Sequence, residues 1–488
     1  MTIAQGLNIN LEAVLPVILT AMLALLVMAL DFFVKKDNKA VLGYLSLIGL
    51  IIILPIAAVT VSPTAAFGAM VIADGYSAFF NAVFLIAAIF AVVLSLDYMK
   101  KIDSERGEYY YIMLFAVIGM MVMASANDLI NLYVGLELMS MSFYVLVAMR
   151  RGSRGAEGAL KYFILGAFSS GILLYGITYA YGFTGTTNLA EIARMGANLS
   201  SPNHYLLIAI IMLGAGFAFK IAAFPFHLWS PDAYEGAPTP VTALLSVGSK
   251  AAAFAFFLRF FAVSFEAFHP YWVTFLWALS AATMLFGAMV AIQQRNIVRM
   301  LAYSSIAHAG IILIGVVVKS GNAAAGIMYY LLVYAFMNTG AFAVVALLAR
   351  GNGTGEAIAD YRGLAARRPV LAFVMALFLL SLAGIPPTGG FTAKFFLLAS
   401  AIEARYYWLA AIGVISTAIS LFFYVKVIFY MYMKEPPEAD PSAPVAAEPS
   451  ALSYNIILLI TALSTVALGI YPTPFMDMAI KAVKPLFM

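Results

Sequence analysis

Long apolar runs recur along the whole sequence, separated by short polar segments. Each run is roughly 20 residues long, and a helix of that length rises about 30 Å, the thickness of the hydrocarbon core of a bilayer. Strands of a transmembrane barrel would alternate polar and apolar residues instead. The composition agrees, because 64% of the residues are hydrophobic and 10% are charged, whereas soluble domains use roughly 45–50% apolar residues. The pattern predicts an all-α integral membrane protein.

The apolar runs predict fourteen membrane spans. The twelfth is too long for one straight crossing and contains the sequence AGIPPTGG at 383–390. Proline removes a backbone donor and clashes with the preceding turn, so we predict a broken helix there. The predicted spans are residues 11–33, 40–61, 75–98, 109–125, 128–149, 158–182, 205–225, 239–262, 271–293, 297–318, 323–349, 369–403, 407–433 and 452–471.

Basic residues are distributed unevenly between the loops on the two sides of the membrane. Loops after odd-numbered spans hold sixteen Lys and Arg residues, and the opposite side holds six, among them Arg259. Because cytoplasmic loops carry the excess of positive charge, both termini are expected on the periplasmic side of a bacterial inner membrane. The basic residues form no patch, so the net charge of +4 does not indicate nucleic-acid binding.

Five lysines remain inside the predicted spans. A lysine at mid-membrane costs from about 2.5 to more than 10 kcal/mol, depending on how the cost is measured. Lys161 and Lys426 lie near the cytoplasmic ends of their spans and can extend to the interface, so they are only possible members of a proton path. The other three are Lys220, Lys250 and Lys394.

Two further ionisable residues, Glu137 and His308, are expected at about the same depth as Lys250. Such residues can be static charges that lock helices together. More often, ionisable side chains inside a membrane mark a route for ions or protons. We therefore predict that protons are translocated through Glu137, Lys220, Lys250, His308 and Lys394.

The spacing of these residues suggests an internal repeat. Glu137 precedes Lys220 by 83 residues, as His308 precedes Lys394 by 86, and a further lysine follows each pair after 30 and 32 residues. Five helices per repeat would make the second copy inverted in the membrane, an arrangement typical of transporters. The predicted divisions are three N-terminal helices at 1–104, a first five-helix repeat at 105–265, a second at 266–434, a cytoplasmic linker rich in Pro, Ala and acid at 435–451, and a C-terminal transmembrane helix at 452–488.

Helix-breaking residues lie beside two of the lysines, so spans seven and twelve are expected to be discontinuous. Unwound backbone inside a membrane persists only where protein or water satisfies its polar groups. Each break therefore predicts a hydrated pocket beside a lysine, and His227, just past the first break, is a possible member of the proton path. The predicted breaks are at Pro225 and at Pro386, Pro387, Gly389 and Gly390.

The chemistry expected of these residues is proton exchange. Burial favours the neutral form of a lysine, whereas a neighbouring carboxylate favours the charged form. Lys220 would therefore hold its proton while Glu137 is close and release it toward Lys250 when Glu137 moves away. His308 suits an intermediate carrier, since an imidazole ordinarily titrates near pH 6.5. Asp232 and Glu235 are expected at a pore rim or capping the eighth span.

The sequence contains no cysteine. A thiolate cluster, an iron–sulfur site or a disulfide within this chain is therefore excluded. We expect no metal site and no redox centre in the chain, so any redox chemistry would have to take place in partner proteins.

Three stretches around the predicted site resemble a known family. They are FPFHLWSPDAYEGAPTPVTALLSVGSK at 224–250, AYSSIAHAGIILIG at 302–315 and LSLAGIPPTGGFTAKFFLL at 380–398. They look like the antiporter-like, proton-translocating subunits of respiratory NADH:quinone oxidoreductase (complex I), which are related to Mrp-type sodium/proton antiporters. The resemblance covers essentially the whole chain and is closest to the subunit N branch, which the lysine at position 394 also favours.

The resemblance implies a fourteen-helix subunit with inverted repeats, in the membrane arm beside other antiporter-like subunits. Glu137 then corresponds to the fifth-helix glutamate of the family, Lys220 to the seventh-helix lysine, Lys250 to the eighth-helix lysine and Lys394 to the twelfth-helix charge. It also implies that NADH, flavin, iron–sulfur clusters and quinone belong to partner subunits, with no cofactor in this chain.

Three other functions remain open at this point. A subunit of an Mrp-type sodium/proton antiporter would share the fold but exchange ions without electron transfer. A scaffold would use its buried charges only to lock helices together. An independent solute carrier would need a substrate cavity lined by specific polar groups, and the sequence does not define one.

Overall fold

The computed structural model describes residues 10–59, 63–102, 104–197, 204–349, 355–436 and 452–487. The linker predicted at 435–451 lies almost entirely outside these residues. Within them the chain is almost wholly helical, as predicted. Two short strands, β1 (Thr64–Ala66) and β2 (Val71–Ala73), pair as an antiparallel hairpin between the helices Ala40–Ala58 and Gly75–Lys101.

The described residues form twenty α-helices. They are α1 Leu15–Asp31, α2 Ala40–Ala58, α3 Gly75–Lys101, α4 Glu108–Ser125, α5 Leu129–Ala148, α6 Ser153–Thr184, α7 Leu189–Ala197, α8 His204–Lys220, α9 Trp229–Gly236, α10 Thr239–Leu244, α11 Lys250–Arg259, α12 His269–Gln293, α13 Ile297–Val318, α14 Gly321–Leu348, α15 Leu364–Arg367, α16 Pro369–Ala383, α17 Gly389–Glu403, α18 Tyr407–Met433, α19 Leu452–Ile470 and α20 Thr473–Val483.

Short polar side chains fix where several long helices begin. Asp74 accepts a hydrogen bond from the backbone of Ser77 at the start of α3, and Asp128 accepts two at the start of α5. Asn296 and Ser320 cap α13 and α14 in the same way. Each cap satisfies backbone donors that have no partner in the first turn of a helix.

Twelve helical stretches of the described chain are long and apolar enough to cross a membrane. The remaining two predicted spans correspond to interrupted helices. The seventh begins with α8, which ends at Lys220, and helix resumes only at Trp229 in α9. The twelfth is divided into α16 and α17. The two discontinuous helices are therefore confirmed, whereas the count of fourteen spans and the inverted repeats remain predictions.

The eighth predicted span lies at the centre of the protein. All residues in the apolar part of the stretch Thr239–Arg259 are buried. In the stretch that contains α1 the buried fraction is 28%, and in α18 it is 33%. Helices α13 and α14, at 89% and 83%, flank the centre. Polar side chains on these inner helices are shielded from lipid by the outer ones.

The eighth span is not the regular helix predicted from its apolar run. Two π-helical turns, Leu245–Ser249 and Phe260–Ser264, interrupt it. The helical segment between them, α11, begins at Lys250 and ends at Arg259. Hydropathy records how apolar a segment is but not the register of its backbone hydrogen bonds, so the sequence pattern did not predict these turns.

Candidate functional site

Lys220 is the last residue of α8 and is 3% exposed. Its Nζ donates to the hydroxyl of Ser140 on α5, at 2.8 Å. Glu137 lies one turn before Ser140 on the same face of α5, because residues three apart are neighbours on a helix surface. Its carboxylate accepts a hydrogen bond from Ser170 on α6. Within the described chain no ion pair joins Glu137 to Lys220, and the lysine contacts Ser140 instead.

Lys250 opens α11 and is 2% exposed. Its Nζ donates to the carbonyl oxygen of Ser305 on α13 at 2.7 Å and also contacts the hydroxyl of that residue. A second hydroxyl, that of Tyr234 on α9, lies 3.4 Å from the Ser305 hydroxyl. The ammonium group therefore faces carbonyl and hydroxyl oxygens.

His308 lies one turn after Ser305 on α13 and is buried. Its Nδ1 is 2.5 Å from the hydroxyl of Tyr330 on α14, and its Nε2 is 3.2 Å from the hydroxyl of Tyr424 on α18. Tyr424 also bonds to Ser304. Hydroxyl groups both donate and accept, so the imidazole has a proton-exchanging partner on each of its nitrogens.

Lys394 lies on α17 and is 4% exposed. Its Nζ donates to the carbonyl oxygens of Leu382 and Ala383, at 2.8 and 3.2 Å. These carbonyls belong to the last turn of α16, where a helix has no internal donors left and carries partial negative charge. The lysine thus caps the half-helix that the break creates.

The break between α16 and α17 contains the predicted proline and glycine residues. Pro386 and Pro387 lie in the connection, and Gly389 and Gly390 open α17. A Cβ on Gly390 would lie 1.8 Å from the carbonyl oxygen of Ser381, so only glycine permits this close approach of the two half-helices.

The break between α8 and α9 contains Pro225 and His227. A cleft of about 210 Å³ lies there, lined by apolar side chains including Phe168, Phe219 and Pro225, with Ser169 as a polar contribution. The ring of His227 is buried against Phe224 and Phe286. Because the cleft is lined mainly by hydrocarbon, the hydrated pocket expected beside Lys220 remains a prediction.

Lys161 and Lys426 have partners that account for their positions. Lys161 is exposed on α6 and pairs with Glu157 and Asp232, at 2.7 and 2.8 Å. The half-buried Lys426 donates to the carbonyl oxygens of Ile292 and Gln294 at the end of α12, both at 3.2 Å. Their membership of a proton path remains a prediction.

Asp232 and Glu235 form an ionic network on α9. Asp232 pairs with Lys161 and with Arg299 at 2.6 Å, and Glu235 pairs with Arg299 at 2.9 Å and with Arg154 at 3.8 Å. Burial by itself would raise the pKa of the Asp232 carboxyl, but hydrogen bonds from Lys161 and Arg299 outweigh it and place that pKa below its ordinary value. The helix-cap interpretation was wrong, because α10 begins without a side-chain cap.

The loop position predicted for Arg259 was also wrong. Arg259 is 2% exposed and donates to both carboxylate oxygens of Asp74, at 3.0 and 2.9 Å, with its guanidinium over the ring of Tyr76. Asp74 is 185 residues away in the sequence, so no local pattern could have indicated this pair.

The structure brings the predicted residues into separate groups. Lys220 contacts Ser140, one turn after Glu137 on α5, and Lys250 contacts Ser305, one turn before His308 on α13. In the part of the chain that the structure describes, no direct hydrogen bond joins these groups to each other or to Lys394. Sequence reasoning missed the hydroxyl groups of the site. The spacing of three residues between Ser305 and His308 could have indicated Ser305, because it places both on one helix face. No sequence pattern indicated Tyr330 and Tyr424, which lie on other helices.

A family model, curated relatives and solved structures all match this chain to the same kind of protein. Residues 126–420 match the family described as NADH:quinone oxidoreductase/Mrp antiporter, TM. NADH-quinone oxidoreductase subunit N of Trichlorobacter lovleyi is 44% identical, over 98% of each chain. A chain of respiratory complex I from Thermus thermophilus is 30% identical with a TM-score of 0.79, over 95% of this chain and 98% of that one.

A chain of the Mrp complex from Dietzia sp. has a TM-score of 0.84 over 98% of each chain, at 22% identity. That identity shows a shared fold alone. The family match covers more than half of the chain, and the Trichlorobacter relative matches it along nearly its full length. The chain therefore belongs to the NADH:quinone oxidoreductase/Mrp antiporter transmembrane family.

Proposed function

We propose that this chain is a membrane-arm subunit of a proton-translocating NADH:quinone oxidoreductase, in which quinone reduction by partner subunits drives protons across the membrane. The observation that carries the proposal is the contact of Lys250 with Ser305, one helical turn from His308, in the most deeply buried part of the molecule. Full-length similarity to proteins named NADH-quinone oxidoreductase subunit N supports it.

The proposed route uses Glu137, Lys220, Lys250, His308 and Lys394. Lys220 contacts a hydroxyl, Lys250 a carbonyl and a hydroxyl, and Lys394 two carbonyls. Oxygen atoms of these kinds stabilise an ammonium group without fixing its charge as a carboxylate would. Each lysine can therefore lose and regain a proton as its surroundings change, which a relay requires.

The gaps between the groups have to be crossed for the relay to work. Ordered water bridges buried polar groups that lie too far apart for a direct hydrogen bond. We propose that water joins the Lys220 group to Lys250, and His308 to Lys394. Movement of Glu137 relative to Lys220 would then change the proton affinity of the lysine and set the direction of transfer.

The subunit functions as part of a larger complex in this proposal. NADH, flavin, iron–sulfur clusters and quinone are held by partner subunits, and this chain contributes no cofactor. The complex lies in the bacterial inner membrane, with both termini of this chain on the periplasmic side, as the distribution of basic residues suggests.

Alanine variants of Lys220 and Lys394 test the proposal. We expect an assembled complex that no longer pumps protons, measured as acidification of inverted membrane vesicles on addition of NADH. Lys36→Ala, in an exposed position of a loop, is the matched control and should pump normally. Wild-type pumping by an assembled Lys220→Ala complex would contradict the proposed role.

The alternative is a subunit of an Mrp-type sodium/proton antiporter. The family description names such antiporters, and a chain of an Mrp complex shares this fold. An antiporter would carry no flavin and would not oxidise NADH. Purification of the native complex, followed by measurement of its flavin content and its NADH oxidation, separates the two functions.

A further inference from the structure

The π-helical turn Leu245–Ser249 ends directly before Lys250. Hydrogen bonds in a π-helical turn run from residue i to i+5, and those of an α-helix from i to i+4, so the turn contains one extra residue. One residue corresponds to a rotation of about 100° around a helix axis. Without this turn, the side chain of Lys250 would point about 100° away from its present direction, and away from Ser305.

A side chain on a neighbouring helix holds the turn. Nδ2 of Asn338, on α14, donates to the hydroxyl of Ser246 inside the turn, at 2.6 Å. That hydroxyl donates in turn to the carbonyl oxygen of Ala243, at 2.8 Å. Asn338 is 1% exposed, so the bond is shielded from bulk water.

Asn338 belongs to a polar stripe on α14 that faces the site. Tyr330, Tyr334 and Asn338 recur at intervals of four residues and therefore lie on one face of the helix. Tyr330 bonds to His308, and the ring of Tyr334 lies against the His308 imidazole. One helix face thus contacts His308 at one end and the turn before Lys250 at the other.

The Asn338 amide bonds to Ser246 through its nitrogen atom. Among the described residues, no group donates a hydrogen bond to its buried Oδ1 atom. Leaving a buried acceptor unpaired costs about 1–3 kcal/mol, which an apolar residue of the same shape would avoid. The hydrogen bond that the amide donates to Ser246 is a contact that an apolar residue of that shape could not make.

We propose that Asn338 is a positioning residue for Lys250: through Ser246 it holds the π-helical turn, and the turn directs the Lys250 ammonium group to Ser305. This inference rests on the proposed role of Lys250 in proton translocation. It adds α14 as the element that determines which way this lysine faces.

The test compares Asn338→Leu and Ser246→Ala with a matched control in the intact complex. Leucine has nearly the shape of asparagine but no donor, and alanine removes a single oxygen from Ser246. Ser280→Ala is the control, because it removes a buried hydroxyl that bonds between helices, at 2.7 Å to Gly310, away from Lys250. Protons pumped per NADH oxidised and the pH dependence of pumping are measured for each.

Both test variants are expected to lose most of the pumping per NADH and to shift its pH dependence, while the control matches wild type. Ser246→Thr keeps the acceptor oxygen and should restore pumping. In a structure of the Ser246→Ala complex, the segment 245–249 is expected as a regular α-helix with Lys250 no longer at Ser305.

Two results would overturn the inference. One is wild-type pumping by Ser246→Ala at every pH. The other is a structure of that variant in which the π-helical turn and the Lys250–Ser305 contact both persist. Lys250→Ala, measured in parallel, distinguishes the two proposals: wild-type pumping by that variant would contradict the function itself, whereas loss of pumping there and not in Ser246→Ala would contradict only the role of Asn338.

Discussion

At the scale of single residues, the buried cations of the described part of the chain have two kinds of partner. Lys220, Lys250 and Lys394 contact hydroxyl and carbonyl oxygens, whereas Arg259 contacts the carboxylate of Asp74. A guanidinium does not release its proton in proteins, and a carboxylate holds a neighbouring charge in place. We conclude that the arginine pair is structural, and that the lysines have the surroundings that proton exchange needs.

The first prediction concerns the Arg259–Asp74 pair. Arg259→Leu leaves a buried carboxylate without its partner, so we expect a loss of about 3–5 kcal/mol in stability, seen as poor assembly or a lower unfolding temperature of the purified complex. Adding Asp74→Asn should restore most of this loss, because asparagine still caps α3 and carries no charge. A double variant as unstable as the single one would show that the unpaired carboxylate of Asp74 is not the cause of the lost stability.

The second prediction concerns Asp232, whose pKa lies below its ordinary value. A carboxyl with a lowered pKa in the folded state adds stability above its unfolded pKa, and this stability is lost as the pH falls through the folded pKa. We therefore expect Asp232→Asn to lower the unfolding temperature by the same amount at every pH between 8 and 5. A penalty that disappears before pH 5 would mean that the pKa of Asp232 is raised in the folded protein and not lowered.

At the scale of helices, each break is held by contacts that cross it. The carbonyls that end α16 accept hydrogen bonds from Lys394 on α17, and the backbone N–H of Gly390 donates to the Ser381 hydroxyl at 3.1 Å. The indole N–H of Trp229, on α9, donates to the carbonyl of Phe219 near the end of α8, at 2.9 Å. Protein groups thus satisfy unwound backbone that lipid could not.

The third prediction follows from the contact of Gly390 with Ser381. Gly390→Ala forces the half-helices α16 and α17 apart, so we expect impaired assembly and loss of pumping in the complex that remains. Gly171→Ala on α6 is the matched control, since nothing lies within 4 Å of the added methyl group. It should be neutral or stabilising, by up to about 1 kcal/mol. Equal behaviour of the two variants would contradict the requirement for glycine at position 390.

At the scale of the whole molecule, charged contacts tie distant parts of the chain together. Arg150, just after α5, pairs at 2.7 Å with Glu356, which lies between α14 and α15 in the sequence. It also donates to the carbonyl of Glu235 at 2.9 Å. Burial raises the pKa of the Glu356 carboxyl, although Arg150 opposes the shift. These contacts connect the two predicted repeats and the network on α9.

The fourth prediction concerns this connection. Arg150→Ala leaves Glu356 buried without its partner, so we expect a clear drop in the unfolding temperature of the complex. The neighbouring Arg151 is exposed, and Arg151→Ala should change stability by no more than about 0.5 kcal/mol. If both variants unfold at the same temperature as wild type, the pair contributes nothing to joining the two predicted repeats.

The sequence by itself determined an all-helical membrane protein, breaks beside Lys220 and Lys394, and a small set of ionisable residues inside the membrane. These properties follow from local patterns, because hydropathy and the conformational limits of proline and glycine act within one or two turns. The resemblance to a family also depended on continuous stretches of sequence.

Only the tertiary structure decided which groups meet. Ser305 is 55 residues from Lys250, and Asp74 is 185 residues from Arg259, so their contacts depend on how helices pack and not on any period along the chain. The π-helical turn before Lys250 depends on packing in the same way, since its hydroxyl bonds to Asn338 on another helix, 92 residues away. A sequence shows which residues a helix carries, but the direction in which each one faces is fixed by the helices around it.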